Sequence, residues 1–135
     1  MTAPNKLEIY RRAIEAFAER GTDGVAEFWD EDIDWRPMAG APDDFGEIHG
    51  PVAMRRYLED WLEMFDDLEL TVHELHDVGG DRIVADQEIA GRAKISGAET
   101  RLRYGVLSTV RDGKWVHGRE YATVAEALAA ARRHD

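Results

Sequence analysis

Residues 104–128, YGVLSTVRDGKWVHGREYATVAEAL, decide the fold class. Two β-prone runs, from Arg101 to Arg111 and from Lys114 to Tyr121, flank Asp112-Gly113, where glycine accepts positive φ at little cost, so the segment reads as a hairpin. Thr123 and Glu126 then form a capping box in front of an Ala-rich stretch of high helix propensity. A hairpin that leads straight into a helix implies a sheet with a helix laid against it. At the far end of the second strand an acid, Glu120, stands between Arg119 and Tyr121 and needs either a partner or a task.

Upstream of the hairpin, the turn VGGDR joins a strand from Leu68 to Val78 to one from Arg82 to about Lys94. Before these, PVAMRRYLEDWLEMF carries Met54, Tyr57, Leu58, Trp61 and Phe65 at helical spacing, so a helix opened by Gly50 and Pro51 has one heavily aromatic face. Residues 38–49 are rich in Gly, Pro, Ala and acids, the composition of an irregular connection. DIDWRP alternates Ile33 and Trp35 with charged residues in a short strand that Pro37 interrupts. The N-terminal helix runs from about Asn5 to Arg20, with Leu7, Tyr10, Ile14 and Phe17 on one stripe, Asn5 and Glu8 as a reciprocal cap and Gly21 as its stop. A short second helix from Thr22 carries Val25, Phe28 and Trp29. The order is helix, helix, strand, helix, four strands, helix, which defines an α+β fold with an antiparallel sheet and helices packed on one face.

The 135 residues, 44% of them hydrophobic, suffice for one filled core, so the chain is read as a single domain over 1–135. A net charge of −11 without a Lys/Arg cluster excludes nucleic acid and anionic membrane surfaces as partners. The absence of cysteine excludes disulfides, thiolate metal sites and cysteine nucleophiles. With no apolar signal segment and no spanning run, the expected compartment is the cytoplasm.

Several chemistries fail on spacing. HELH at His73–His76 is one residue short of a zinc-protease motif, and on a regular strand His73 and His76 point to opposite faces. DEDIDW from Asp30 alternates acids like a calcium loop but has Trp35 where glycine is required. Ser96 and Ser108 lack a nucleophile elbow and a spaced histidine. No phosphate loop or dinucleotide fingerprint is present, and neither a metal nor a cofactor is expected.

GPVAMRRYLEDWLEMFDDLEL, the turn GGDRIVA and the segment YGVLSTVRDGKWVHGREYATVAEAL together resemble the SnoaL-like branch of the NTF2-like superfamily, a branch named for a polyketide cyclase. The resemblance covers nearly the whole chain. It implies a cone-shaped fold, a curved antiparallel sheet whose concave face, closed by helices, encloses a hydrophobic pocket, and it implies a homodimer. It also implies a role for Glu120, because the polyketide cyclase and limonene epoxide hydrolase both place a catalytic aspartate in the segment that resembles HGREY. Their other residues do not carry over. The cyclase histidine falls on Val106, the epoxide hydrolase arginine and second acid fall on Gln87 and Ile89, and the ketosteroid isomerase set falls on Ala13, Pro37 and Val106. Steroid isomerisation is therefore disfavoured.

Strand alternation supplies an independent argument about faces. With Val106 and Glu120 inward, Tyr104 and Ser108 follow on one strand and Val116 and Gly118 on the other, Gly118 leaving room beside the acid. The strand from Arg82 then turns Ile83, Ala85, Gln87 and Ile89 inward and Asp86 and Glu88 outward, and Trp35, Tyr57 and Trp61 supply aromatic walls. A carboxyl group in such surroundings loses hydration, which raises its pKa toward the range useful for proton transfer, with Gln87, Tyr104 and Ser108 placed to hold a substrate oxygen. The expected function is a cofactor-independent enzyme of cyclase, isomerase or hydratase type acting on a small hydrophobic molecule. Two alternatives stand beside it. One is a binding protein for a hydrophobic metabolite, and the other is a dimeric interaction module using Leu107, Arg103 and Arg119, with Glu120 paired to an arginine such as Arg103 or Arg119.

Overall fold

Local signals set the helix ends. The computed structural model describes residues 5–38 and 47–133. The Asn5 side chain accepts the Glu8 N–H at 2.9 Å to start α1 (Lys6–Arg20), and Gly21, at φ 64°, closes it by donating to the Phe17 carbonyl at 2.8 Å. α2 (Thr22–Ala26) is shorter than the sequence suggests, because Trp29 leaves it and begins β1 (Trp29–Arg36). Ile48 and His49, read as part of an irregular connection, form β2 (Ile48–His49), while residues 39–46 of that connection lie outside the described residues. Pro51 occupies the first turn of α3 (Gly50–Met64), and Phe65, expected on the helix, instead opens β3 (Phe65–Asp77). β4 (Arg82–Ala93), β5 (Glu99–Arg111) and β6 (Lys114–Tyr121) follow, and the Glu126 N–H donates to Thr123 Oγ1 at 3.1 Å to cap α4 (Val124–Arg133).

The six strands form one curved, unclosed sheet in the order β2-β1-β6-β5-β4-β3. Four of its five pairings are antiparallel, but β1 runs parallel to β6, Trp35 lying opposite Gly118 and Arg36 opposite Arg119. The antiparallel sheet expected from the sequence thus carries one parallel pair, between β1 and β6. Two bulges also override regular alternation, which assumes an unbroken ladder. On β6 the register shifts between Thr109 and Val110 of its partner, so that Trp115 opposes Val110 and packs in the inner core while Val116 is displaced. On β3 the register shifts between Val72 and Glu74, so that Val72 and Leu75 pack against the inner core while His73 and His76 share the outer face near Asp86.

The two faces carry different chemistry. The inner face packs Ile83, Ala85 and Val106 against Tyr10 and Ala13 of α1 and Met54 and Tyr57 of α3. The outer face packs Val84 and Leu107 against Ala127, Ala130 and Ala131 of α4. A Cβ on Gly105 would lie 2.8 Å from the Thr123 carbonyl oxygen and 3.0 Å from the Ala127 Cβ, so only glycine lets the helix settle there. Leu107, 8% exposed, is therefore covered by the chain's own helix and is not free for a partner. Beyond α4 the outer face is ionic. Arg103 forks onto Asp86 at 2.8 and 2.7 Å, and Glu88 accepts from His73 at 2.7 Å and from Arg101. The Arg103 hydrogen bonds hold the Asp86 carboxyl below its ordinary value, and His73, then Arg101, do the same for Glu88.

Gly105→Val is expected to lower stability by about 1–3 kcal/mol, the usual range for overpacking, read from urea unfolding at neutral pH. A depressed carboxylate contributes stability above its unfolded pKa, roughly 3.9 for aspartate, and loses it as pH falls through the lower folded value. Arg103→Gln should therefore weaken the fold at neutral pH and flatten the stability decline below about pH 5, the onset of such acid losses. An unchanged decline in Arg103→Gln would show that the Asp86 fork has no part in acid sensitivity.

Candidate functional site

Glu120 sits on β6 directly across from Val106, on the inner face. Its Oε2 accepts the indole N–H of Trp35 at 2.8 Å and the phenol O–H of Tyr57 at 2.8 Å, and its Oε1 takes the Met38 backbone N–H at 3.4 Å. The reason Trp35 reaches the acid lies in the parallel register. Its partner residue is Gly118, and a Cβ at that position would sit inside the Trp35 ring, so the indole lies flat across β6 with its nitrogen two residues further on. The space beside the acid that Gly118 was expected to leave for a ligand is thus occupied by Trp35. Trp115 braces this arrangement, its ring 5.4 Å from Trp35 in an edge contact and 4.7 Å from Tyr10.

A second polar chain lies one rung along the same face. The Tyr10 O–H donates to Gln87 Oε1, and Gln87 Nε2 donates to the Tyr104 hydroxyl at 3.1 Å. Burial first, and then the negative charge of Glu120, push the Tyr57 and Tyr104 phenols well above their usual range. Tyr10 is raised by burial, then by Tyr104 and Glu120. Three of the four tyrosines therefore stay protonated as neutral donors around one carboxylate. Their shared dependence on its charge marks them as one electrostatic unit.

The structure brings together Trp35, Tyr57 and Glu120 by direct contact, with Gln87 and Tyr104 as neighbours. Val106 is fully buried opposite the acid as an apolar wall. Ser108 is fully buried one rung behind, with its hydroxyl beside the Tyr10 phenol. Trp61 points further along the sheet, stacked on Phe65 with centroids 5.7 Å apart. Of the arginines weighed as partners for Glu120, Arg103 is forked onto Asp86, and the Arg119 guanidinium lies 5.1 Å over the Tyr121 ring. Tyr10 and Trp115 belong to the cluster but were read only as core or not at all. A phenol on a buried helix stripe needs a hydrogen-bond partner, and the inward Gln87 was the available signal for Tyr10.

Asp34, Glu47 and His49 bring ligand atoms within 4.8 Å of one another where β1 meets β2. His49 Nδ1 lies against Asp34 and its Nε2 lies 3.7 Å from Glu47, so the two carboxylates address opposite ring nitrogens.

A curved, unclosed six-stranded sheet with helices on it is the NTF2-like type of α+β fold. The chain belongs to the SnoaL-like domain family, whose model matches residues 10–118. No curated protein matches it in sequence. Among solved structures it is similar to an NTF2-like protein from Burkholderia thailandensis, at 22% identity and TM-score 0.78 over 93% of this chain and 98% of that one. It is also similar to TerC co-crystallised with polyporic acid, at 18% identity and TM-score 0.75 over 94% and 98% of the two chains. A candidate SnoaL-like polyketide cyclase from Mesorhizobium loti matches at 24% identity and TM-score 0.63 over 87% and 99%. No helix among the described residues is long and apolar enough to cross a membrane.

Because Trp35 and Tyr57 bond the same oxygen, their contributions should be coupled. Trp35→Phe and Tyr57→Phe are each expected to destabilise by roughly 1.5–3 kcal/mol, the range for hydrogen bonds to a charged group, and the double variant by an amount that departs from their sum by at least ~0.5 kcal/mol. Strict additivity in a urea double-mutant cycle would show that the two donors act independently.

Proposed function

We propose that this protein is a small-molecule enzyme of cyclase, isomerase or hydratase type in which Glu120 transfers a proton of a hydrophobic ligand bound on the inner face. The observation that carries this reading is the convergence of the Trp35 N–H and Tyr57 O–H on Glu120 Oε2, which fixes the carboxylate's orientation on the concave side of the sheet. A positioned carboxylate beside neutral donors is the equipment for breaking a C–H bond next to a carbonyl. The proton goes to Glu120, the electron pair moves onto the carbonyl oxygen, and the Tyr104 hydroxyl, oriented by Gln87 Nε2, donates to that oxygen. Return of the proton to a different carbon completes an isomerisation, whereas attack of the enolate carbon on a second carbonyl closes a ring, the second carbonyl's π pair moving onto its oxygen, which takes the proton back from Glu120. The homodimer expected from the family likeness is part of the proposal, with the ionic region around Arg101 and Arg103 as its contact surface.

One observation favours a second reading. The resemblance to the polyketide cyclase puts that enzyme's histidine on Val106, here an apolar residue buried opposite the acid, which suits a binding protein in which Glu120 joins β1, α3 and β6.

Deuterium uptake at the α-carbons of a panel of cyclic 1,3-diketones and β-keto esters, followed by proton NMR, separates the two. The wild type should accelerate exchange of at least one member, and Glu120→Gln, which keeps size and hydrogen-bonding capacity, should slow it by about 10²–10⁴-fold, the usual contribution of a general base. Exchange at the uncatalysed rate with every member, or an unaltered rate in Glu120→Gln, would remove the enzyme reading.

A further inference from the structure

Beyond the polar cluster, the inner face continues as apolar surface. β4 and β5 pair without a break, so successive inward rungs are Ala85 with Val106, Gln87 with Tyr104, Ile89 with Leu102 and Gly91 with Thr100. Glu120 extends the first of these rungs onto β6. At ~3.4 Å per residue the Leu102 rung lies about 7 Å from the Tyr104 rung and about 14 Å from that of Glu120. Here α3 ends and β3 begins, and Trp61, Phe65, Leu68, Ile89, Gly91 and Leu102 line a cleft of about 130 Å³. Trp61 and Phe65 stack within 8° of parallel along one side, and Leu102, 38% exposed, forms the rim. Gly91 bounds the opposite end. A Cβ there would lie 3.2 Å from Leu68 Cδ1 and from Phe65 Cβ, so β3 packs closely on β4 at this point.

We infer that this cleft is a subsite for a single unfused aromatic ring, and that the ligand is an elongated molecule carrying an oxygen function roughly 7 Å from that ring, the spacing of the rungs. The volume carries the size limit, since an apolar cavity of ~150 Å³ accommodates benzene and a fused bicycle needs more. The chemistry carries the class. The lining is almost wholly hydrocarbon, with parallel aromatic faces suited to offset or edge packing of a ring, and the Tyr104 hydroxyl, the donor that would fix an oxygen, stands one rung nearer Glu120. The ligand's polar end rests on the function proposed above; its apolar end rests on the cleft alone.

Fluorine NMR titration of the full chain with fluorobenzene and 1-fluoronaphthalene tests this. Fluorobenzene should bind saturably and at least about ten-fold more tightly than 1-fluoronaphthalene, the discrimination a snug apolar site achieves, despite the naphthalene's greater hydrophobicity. Leu102→Trp, which fills the cleft from its rim, should weaken fluorobenzene by about ten-fold or more, and Ile89→Ala, which enlarges it, should reverse the preference. Circular dichroism verifies that each variant is folded, and the opposite directions of the two cleft variants keep the test decisive if one is not. No saturable binding to the wild type, or equal binding by wild type and folded Leu102→Trp, would overturn the subsite. Retained fluorobenzene binding with no α-carbon exchange would overturn only the proton-transfer reading.

Discussion

A single carboxylate oxygen joins three segments that the chain delivers at different times. Glu120 Oε2 on β6 takes its hydrogen bonds from Trp35 on β1 and Tyr57 on α3, and this point holds the parallel strand and the covering helix in one position relative to the sheet. The bonds are possible because Gly118 has no side chain, since any other residue would lift the indole off β6 and withdraw its nitrogen from the acid. Hydrogen bonds to a charged acceptor contribute about 1.5–3 kcal/mol each, a sizeable part of the net stability of a domain this small. The acid is thus positioned by the same contacts that close the fold.

The sheet divides its polar groups by face according to the cost of desolvation. Outward, Asp86 and Glu88 keep their charges beside Arg103, Arg101 and His73, where water still reaches the arginines. Inward, apart from Glu120, the polar groups are neutral: Tyr10, Tyr57, Tyr104, Gln87 and Ser108. Burying neutral donors costs far less than burying ions, and each phenol that stays protonated remains able to stabilise negative charge. One carboxylate in a setting of neutral donors is a different electrostatic environment from the ion-pair ladder on the other side of the same strands.

Much of this was legible from local chemistry. The caps at Asn5 and Thr123, the stop at Gly21, the turns at Gly79-Gly80 and Asp112-Gly113, and the inward parity of Ile83, Ala85, Gln87, Tyr104 and Val106 all depend on neighbours in sequence or on an unbroken ladder, as β4 and β5 provide. What escaped depends on distant partners. Nothing within WDEDIDWR says that it will lie parallel to KWVHGREY, and the bulges that turn Trp115 inward and bring His73 and His76 to one face are set by how the strands meet, not by a period of two. The contact between Gly118 and Trp35 was misread for the same reason, because its partner lies 83 positions earlier in the chain.

That separation bears on how the protein comes into being. β1 leaves the ribosome early, yet among the described residues its only long neighbour in the sheet is the last strand to be synthesised. Until residues 114–121 emerge, Trp29, Ile33 and Trp35 have no sheet to join, and closing so long an intervening loop places this pairing among the slow, non-local events of folding. The hairpins of β3 to β6 form from adjacent sequence, and the first strand then docks on a sheet already built. The carboxylate and its two donors meet only at that final step, so a nascent chain stalled before Lys114 holds most of its helices and both donors but not the acid that joins them.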